Sequence, residues 1–215
     1  MAIWEGRTAL IIAGAPQDNL SYVTELFHTI EHPVVVCADR GLEYALQLGL
    51  QPDLLVADCD SSPCMTVPCE FIRLTPEKDD TDTMHALNIS IERGCKNVMI
   101  VCATGGRIDH MLANLSLCEY CAEKSVFCTI ADARNRVIWG GNAPVKLKKD
   151  DRFRFFSMVP LDYWLEDVDI VGAKYPLQKC RISRSEILTI SNEFVEETVE
   201  IRVGQGRWLL IRSGD

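Results

Sequence analysis

Residues 54–61 read Leu54-Leu55-Val56-Ala57-Asp58-Cys59-Asp60-Ser61, four apolar residues followed at once by two aspartates one residue apart. A run that is apolar on both faces predicts a strand buried in a parallel sheet covered by helices. If the strand's period of two persists past Ala57, Asp58 and Asp60 leave on the same side and lie close together. Two such carboxylates repel unless a cation lies between them or one is protonated. Hard oxygen donors of this kind, completed by water and substrate phosphates, suit Mg²⁺. Aspartate is also common in the solvated turn after a strand, so the segment alone leaves both readings open.

Upstream, Thr8 to Ala13 predicts a first strand, Gly14-Ala15-Pro16 a turn, and Asn19 to Ile30 an amphipathic helix capped by Asp18 or Asn19. Val34 to Ala38 predicts a second strand, ending in Asp39-Arg40-Gly41 ahead of a short helix from Leu42 to Leu48 that Gly49 closes. Downstream, Phe71 to Leu74 predicts another strand. Pro76-Glu77-Lys78-Asp79-Asp80-Thr81-Asp82 then opens a helix that runs through Met84, Leu87 and Ile91 to Arg93-Gly94. Asp79 and Asp82 are three apart, so one can cap while the other points from the first turn. Helix capping explains one or two acidic residues through the dipole, but three in four positions exceed what a cap needs.

Val98 to Ala103 predicts the next buried strand, running into Thr104-Gly105-Gly106-Arg107-Ile108-Asp109-His110 and a helix that ends near Glu123. Paired glycines let backbone N–H groups approach an anion, a helix N-terminus attracts it, and Arg107 can grip it with two donors. The motif is neither a Walker loop nor GxGxxG. His110 beside Asp109 suits a polar network or cap as well as it suits a ligand or an acid. Val126 to Ala131 predicts a further strand, closing at Asp132. Strand and helix alternate throughout, which implies a mainly parallel sheet with helices on both faces. Asp39, Asp58, Asp60 and the Gly105-Gly106 turn all fall just past strand carboxyl ends, where ligands bind in open α/β sheets.

Gly140-Gly141-Asn142-Ala143-Pro144 is a cluster of breakers and divides the expected domains, 1–140 and 141–215. Beyond it the pattern becomes short alternating runs: Arg152 to Phe156, Asp167 to Val171, Glu186 to Ile190, Thr198 to Val203 and Arg207 to Ile211. These predict an antiparallel β-sandwich, at roughly 70 residues small enough to benefit from packing on the first domain or on a second subunit.

The 215 residues carry a formal net charge of -9 with no basic cluster, which argues against a nucleic-acid surface. Met1-Ala2-Ile3-Trp4-Glu5 lacks a basic segment leading into a long apolar run, and no stretch reaches membrane-spanning length, so a soluble, cytoplasmic protein is expected. Ten cysteines are scattered through predicted strands and helices, as buried reduced thiols would be. Cys118-Glu119-Tyr120-Cys121 has redox or zinc spacing, but no second pair completes a tetrahedral set.

Several separated motifs occur in a fixed order. They are Asp39-Arg40-Gly41; Pro52-Asp53 with Ala57-Asp58-Cys59-Asp60-Ser61; Asp79-Asp80-Thr81-Asp82; and Thr104-Gly105-Gly106-Arg107-Ile108-Asp109-His110 with Asn114. In the second half stand Gly172-Ala173-Lys174-Tyr175-Pro176-Leu177 and Ile190-Ser191-Asn192-Glu193-Phe194. Across nearly its whole length the chain resembles the thiamine pyrophosphokinase family. The resemblance implies an α/β fold in which a mainly parallel, Rossmann-like three-layer catalytic domain precedes a β-sandwich domain for thiamine binding and dimerisation. It implies transfer of a diphosphate from ATP to the thiamine hydroxyl, with release of AMP. Asp58, Asp60 and Asp82 would hold Mg²⁺ on the ATP phosphates, with Asp39 and Asp79 nearby. Lys78, Thr104, Gly105, Gly106, Arg107, Asp109, His110 and Asn114 would form the nucleotide side. A homodimer would complete the cleft, with Ser191, Asn192 and Tyr175 receiving thiamine. Asp58 or Asp82 would accept the hydroxyl proton. Arg40 and Ala57 stand where the family pattern has glycine, and Cys59 where it has an aromatic or aliphatic residue. Two other readings are a pyrophosphotransferase of the same scaffold acting on another alcohol, and a non-catalytic thiamine or nucleotide sensor, which would be expected to have lost a carboxylate.

Overall fold

A computed structural model describes residues 2–58, 69–75 and 80–215. The chain divides between Ala133 and Arg134 into two compact units. The first contains β1 (Thr8–Ile12), α1 (Ser21–Thr29), β2 (Pro33–Ala38), α2 (Gly41–Gln47), β3 (Leu54–Ala57), β4 (Glu70–Arg73), α3 (Asp82–Glu92), β5 (Asn97–Val101), α4 (Ile108–Glu123) and β6 (Phe127–Ala131). Its strands run β6-β5-β1-β2-β3-β4, every pair parallel. After β4 the chain returns to place β5 on the other side of β1, so the strand order reverses at the β1/β5 boundary. In a doubly wound sheet that reversal leaves a crevice at the strand carboxyl ends.

The central strands are apolar because both faces are covered. All four residues of β3 are buried, as are Val34 to Ala38 of β2 and Ala9 to Ile12 of β1. One face joins Leu10, Ile12, Val35, Cys37, Leu55 and Ala57 to Tyr22, Val23 and Leu26 of α1 and Leu42, Tyr44 and Ala45 of α2. Helices α3 and α4 supply none of that cluster; α3 packs on β1, β2 and β3, and α4 on β6. Fully burying each such aliphatic side chain stabilises the fold by about 1.5–3 kcal/mol, which is why the sheet centre tolerates no polar residue.

Polar side chains act at the element ends. The N-cap position of α1 is Leu20, which makes no side-chain cap bond, not the expected Asp18 or Asn19; Asn19 Oδ1 still accepts the N–H of Ser21, the first helical residue, at 2.8 Å. The α3 cap is neither of the expected aspartates. Thr81 is extended and its hydroxyl accepts the Met84 N–H at 3.2 Å, while Asp79 lies outside the described residues. Asp53 donates its N–H to the Val35 carbonyl and accepts the Val35 N–H on its carboxylate, each at 2.8 Å, and so starts the β2–β3 ladder. All eight cysteines among the described residues are free thiols, six of them buried.

The second unit contains β7 (Asn135–Trp139), β8 (Val145–Lys148), β9 (Phe155–Pro160), β10 (Trp164–Val171), β11 (Leu177–Ser183), β12 (Asn192–Glu193), β13 (Thr198–Arg202) and β14 (Trp208–Ser213). They pair antiparallel as β12-β9-β14-β7 and β11-β10-β13-β8. Phe156, Met158, Trp208 and Leu210 of one sheet meet Leu147, Leu165, Val168, Ile170, Ile182, Val199 and Ile201 of the other in one core, which makes the unit a sandwich. Strand β7 precedes the Gly140-Gly141 breakers yet pairs with β14.

Two expected strands differ. Glu186 to Ile190 is a turn: Glu186 Oε2 accepts the Ser183 N–H at 3.0 Å, Ile187 is left-handed at φ 53°, and Ile187, Leu188 and Ile190 are exposed. The run expected from Arg152 becomes strand only at Phe155, because Phe153 N–H closes a turn on the Asp150 carbonyl at 2.9 Å.

Gly41 is where α2 meets the end of β1. A Cβ there would lie 1.8 Å from the Ile12 carbonyl oxygen, backbone that cannot move aside cheaply. Gly41→Ala is expected to cost about 3 kcal/mol, the upper part of the overpacking range, and chemical denaturation checks it as a lower midpoint with unchanged slope.

Candidate active site

The ends of β1, β2, β3 and β5 and the starts of α3 and α4 converge at the crevice. The register Ala38↔Val56, continued by Asp39 N–H donating to the Val56 carbonyl at 3.0 Å, puts Asp39 beside the end of β3. Asp58 leaves β3 one residue past its last ladder position. Asp82 opens α3 and lines the crevice, while Thr81 performs the capping. One carboxylate oxygen from each of Asp39, Asp58 and Asp82 lies within 4.8 Å of the others, the one cluster among the described residues able to hold a metal ion. Three half-buried oxygens at that separation match what a small hard cation takes from protein, with water and phosphate completing the shell.

Burial raises the Asp39 carboxyl above its ordinary value, and the Asp82 and Asp58 charges push it the same way; the Arg40 backbone N–H and the Arg40 charge oppose them. Asp39 adopts φ 49°, a conformation that aspartate and asparagine tolerate and bulkier residues do not. Arg40, in the position where a glycine was noted, is helical at φ −60° and demands no glycine.

These carboxylates line a cavity of about 670 Å³. Its other wall consists of Gly14, Ala15 and Pro16 after β1 and Gly105, Gly106, Arg107, His110 and Asn114 after β5. The two glycines are left-handed in succession, at φ 91° and 67°, and a Cβ on Gly106 would meet Pro16 Cδ at 2.8 Å. Successive N–H groups in such a turn form a concavity for anions, here directly ahead of the α4 N-terminus.

The structure thus gathers Asp39, Asp58, Asp82, Gly105, Gly106, Arg107, His110 and Asn114 at one cavity. Asp60, Lys78 and Asp79 lie outside the described residues. Thr104 and Asp109 are not on the lining. The Thr104 hydroxyl donates to Asp132 at 2.8 Å. Asp109 forms an exposed ion pair with Arg107 at 2.6 Å, and that guanidinium holds its carboxyl down at about 2. Asn114 is buried and donates to the Ala103 carbonyl at 2.9 Å. In the second unit, Asn192 accepts the Tyr175 N–H at 3.0 Å and donates to the Tyr175 carbonyl at 2.9 Å, so its amide is committed to backbone. The Tyr175 ring is exposed, and Ser191 is left-handed with its N–H on Ser157 Oγ. The Gly14-Ala15-Pro16 wall was read only as a turn; its position after the first strand of a doubly wound sheet was the available signal.

Such a cavity, at the switch point of a parallel sheet with carboxylates facing a glycine turn, defines the chain as a doubly wound α/β protein with its ligand cleft at the strand carboxyl ends. Residues 28–130 match the family model for the thiamin pyrophosphokinase catalytic domain, and residues 144–208 that for its vitamin B1 binding domain. The chain belongs to the thiamine pyrophosphokinase family. It is 28% identical over 221 residues to the thiamine pyrophosphokinase of Bacillus subtilis (strain 168), covering 97% of this chain and 100% of that one. The crystal structure of thiamine pyrophosphokinase from Bacillus subtilis superposes with TM-score 0.88 at 27% identity, covering 97% of this chain and 100% of that one. That from Geobacillus thermodenitrificans gives 0.86 at 29%, covering 97% and 98%.

A carboxyl whose folded pKa is raised stabilises the fold in its protonated form. That contribution is fully present below the unfolded pKa and is lost as pH rises through the folded one. Asp39→Asn, neutral throughout and compatible with the left-handed backbone, is therefore expected to raise the metal-free thermal midpoint by a few degrees at neutral pH. The gain should vanish near the unfolded pKa of about 4; thermal unfolding at both pH values measures it.

Proposed function

We propose that the protein transfers a diphosphate from ATP to the hydroxyl of thiamine, giving thiamine diphosphate and AMP. The observation that carries the reading is the convergence of Asp39, Asp58 and Asp82 on one wall of a cavity whose other wall is the glycine turn. In the reaction the thiamine hydroxyl oxygen attacks the β-phosphorus and the bridge between the α- and β-phosphates breaks, with AMP as leaving group. The transfer needs in-line positioning and charge neutralisation more than covalent help from the protein.

Asp39, Asp58 and Asp82 would hold Mg²⁺, joined by Asp60 as the family resemblance implies. When bound, the ion supplies charge neutralisation on the phosphate oxygens. Gly105, Gly106 and Arg107 receive the phosphates, and Asn114 keeps the peptide ahead of that turn in place. Asp58 or Asp82 takes the hydroxyl proton, a role worth about 10²–10⁴-fold. The acidic cavity also favours the acceptor, whose thiazolium ring is a fixed cation. Tyr175 and Ser191 of the second unit are the residues we assign to thiamine, with Asn192 shaping their backbone. Dimerisation through the second unit and a cytoplasmic location complete the proposal; among the described residues, no helix is long and apolar enough to cross a membrane.

The test is AMP release by purified protein with ATP and Mg²⁺, with and without thiamine, and the product mass. Thiamine-dependent AMP with a diphosphate ester is the expected result; ATP binding without it points to another alcohol. Asp58→Asn is expected to lower kcat/KM by at least about 10²-fold, since even outer partners of metal ligands cost 10–100-fold. Its thermal midpoint should stay at or above that of the parent. A wild-type rate at saturating Mg²⁺ would remove Asp58 from the metal site.

A further inference from the structure

The two loops that face the anion wall are tied together by side chains that lie behind it. Carbonyl oxygens repel phosphate, so a polyphosphate wall made of backbone must turn its carbonyls away. Five carbonyls of the two loops, those of Ala15, Pro16, Cys102, Ala103 and Thr104, have donors. The Cys102 carbonyl accepts the Ala15 N–H at 2.9 Å, and the Ala103 carbonyl accepts Asn114 Nδ2 at 2.9 Å. The Ala15 carbonyl accepts the Tyr44 hydroxyl at 3.2 Å. One donor group serves the other two: Gln17 Nε2 donates to the Pro16 carbonyl at 2.8 Å and to the Thr104 carbonyl at 2.9 Å, one on each loop, and lies 3.3 Å from the Ala15 carbonyl.

The Gln17 amide has its orientation fixed from behind. Its Oε1 accepts the Tyr22 hydroxyl at 2.9 Å. The same Tyr22 oxygen accepts the Cys102 N–H at 3.2 Å and lies 3.5 Å from the Cys102 sulfur. Tyr22 and Cys102 are buried, and Cys102 is held left-handed at φ 54°, a conformation that persists only where surroundings enforce it. The chain Cys102–Tyr22–Gln17 thus joins the ends of β5 and β1 through one amide whose oxygen faces the tyrosine and whose nitrogen faces carbonyls of both loops. A carboxylate at position 17 could not serve both carbonyls, since it has acceptors only.

We propose that Gln17 is a positioning residue for the nucleotide polyphosphate. By holding the Pro16 and Thr104 carbonyls behind the wall, it leaves the Gly105-Gly106-Arg107 turn to present its N–H groups to the anion. Tyr22 acts through Gln17 by fixing the amide's orientation. The inference rests on the reading that this cavity takes ATP, and it predicts an effect on the nucleotide alone, not on the acceptor.

The experiment compares the full-length protein with Gln17→Met, which keeps the length of the side chain and removes its hydrogen bonds, and with Tyr22→Phe, which keeps the buried ring. Direct titration with ATP and Mg²⁺, without acceptor, is paired with KM for ATP and for thiamine. Gln17→Met is expected to weaken ATP binding and raise KM for ATP about tenfold, the effect of losing one or two such bonds. KM for thiamine, kcat and the apo thermal midpoint should stay within about twofold or a few degrees of the parent. Tyr22→Phe should shift ATP binding the same way, and the effects of the two substitutions should be less than additive in the double variant, because the tyrosine acts through the glutamine as well as on the Cys102 N–H. Should Gln17→Met not fold, Tyr22→Phe carries the test alone. Unchanged ATP affinity overturns the proposal, as do equal rises in both KM values with a fallen midpoint, or a parent protein that binds no ATP. A parent that binds ATP but leaves thiamine unmodified defeats the acceptor assignment and not this one, because the titration still reads the Gln17 effect.

Discussion

Three carboxylates that repel one another are held with their oxygens within 4.8 Å, and much of the first unit exists to hold them there. Asp39 and Asp58 leave adjacent strands whose ladder is fixed by backbone bonds, and Asp82 opens a helix packed on those same strands. A buried apolar sheet is stiff enough to impose such a spacing, because shifting any strand would expose residues that are now dry. Burial first, and then the Asp82 and Asp58 charges, raise the Asp39 carboxyl, and a bound cation would offset the charge contribution.

The polar residues near the cleft divide by what they touch. Asp53 and Thr81 bond backbone, one starting a ladder and the other capping a helix. Asn114 and Gln17 bond loop carbonyls. Only after these tasks are assigned does it become clear which acidic side chains remain to face the cavity. The same division applies in the second unit, where the Asn192 amide is bonded to the backbone of Tyr175 and the tyrosine ring is left exposed.

The glycine turn and the β1 turn form one wall because the strand order reverses between β1 and β5. Residues far apart in sequence, Gln17 and Thr104 among them, become neighbours through that reversal alone. Family membership adds that the matched catalytic and vitamin B1 binding models fall on the first and second units respectively.

What the sequence determined was local and periodic. The run Leu54 to Ala57 read as a strand buried on both faces, and the change from strand–helix alternation to short alternating runs marked the two architectures. The family motifs singled out Asp39, Asp58 and Asp82, as well as the glycine turn. Local pattern also misled: Glu186 to Ile190 alternates like a strand, but a side-chain-closed turn leaves its apolar residues in solvent. Strands β7, β8 and β11 were missed because their mixed composition becomes intelligible only against partners distant in sequence. Only the tertiary structure decided that Thr81 and not an aspartate caps α3, that Asp39 joins the carboxylate cluster itself, and that Thr104 and Asp109 turn to Asp132 and Arg107. The carboxylate cluster and the Thr104–Asp132 bond depend on groups that arrive from other elements, which no short-range pattern contains, whereas the Thr81 cap and the Arg107–Asp109 pair are choices among several polar neighbours that the local pattern left open.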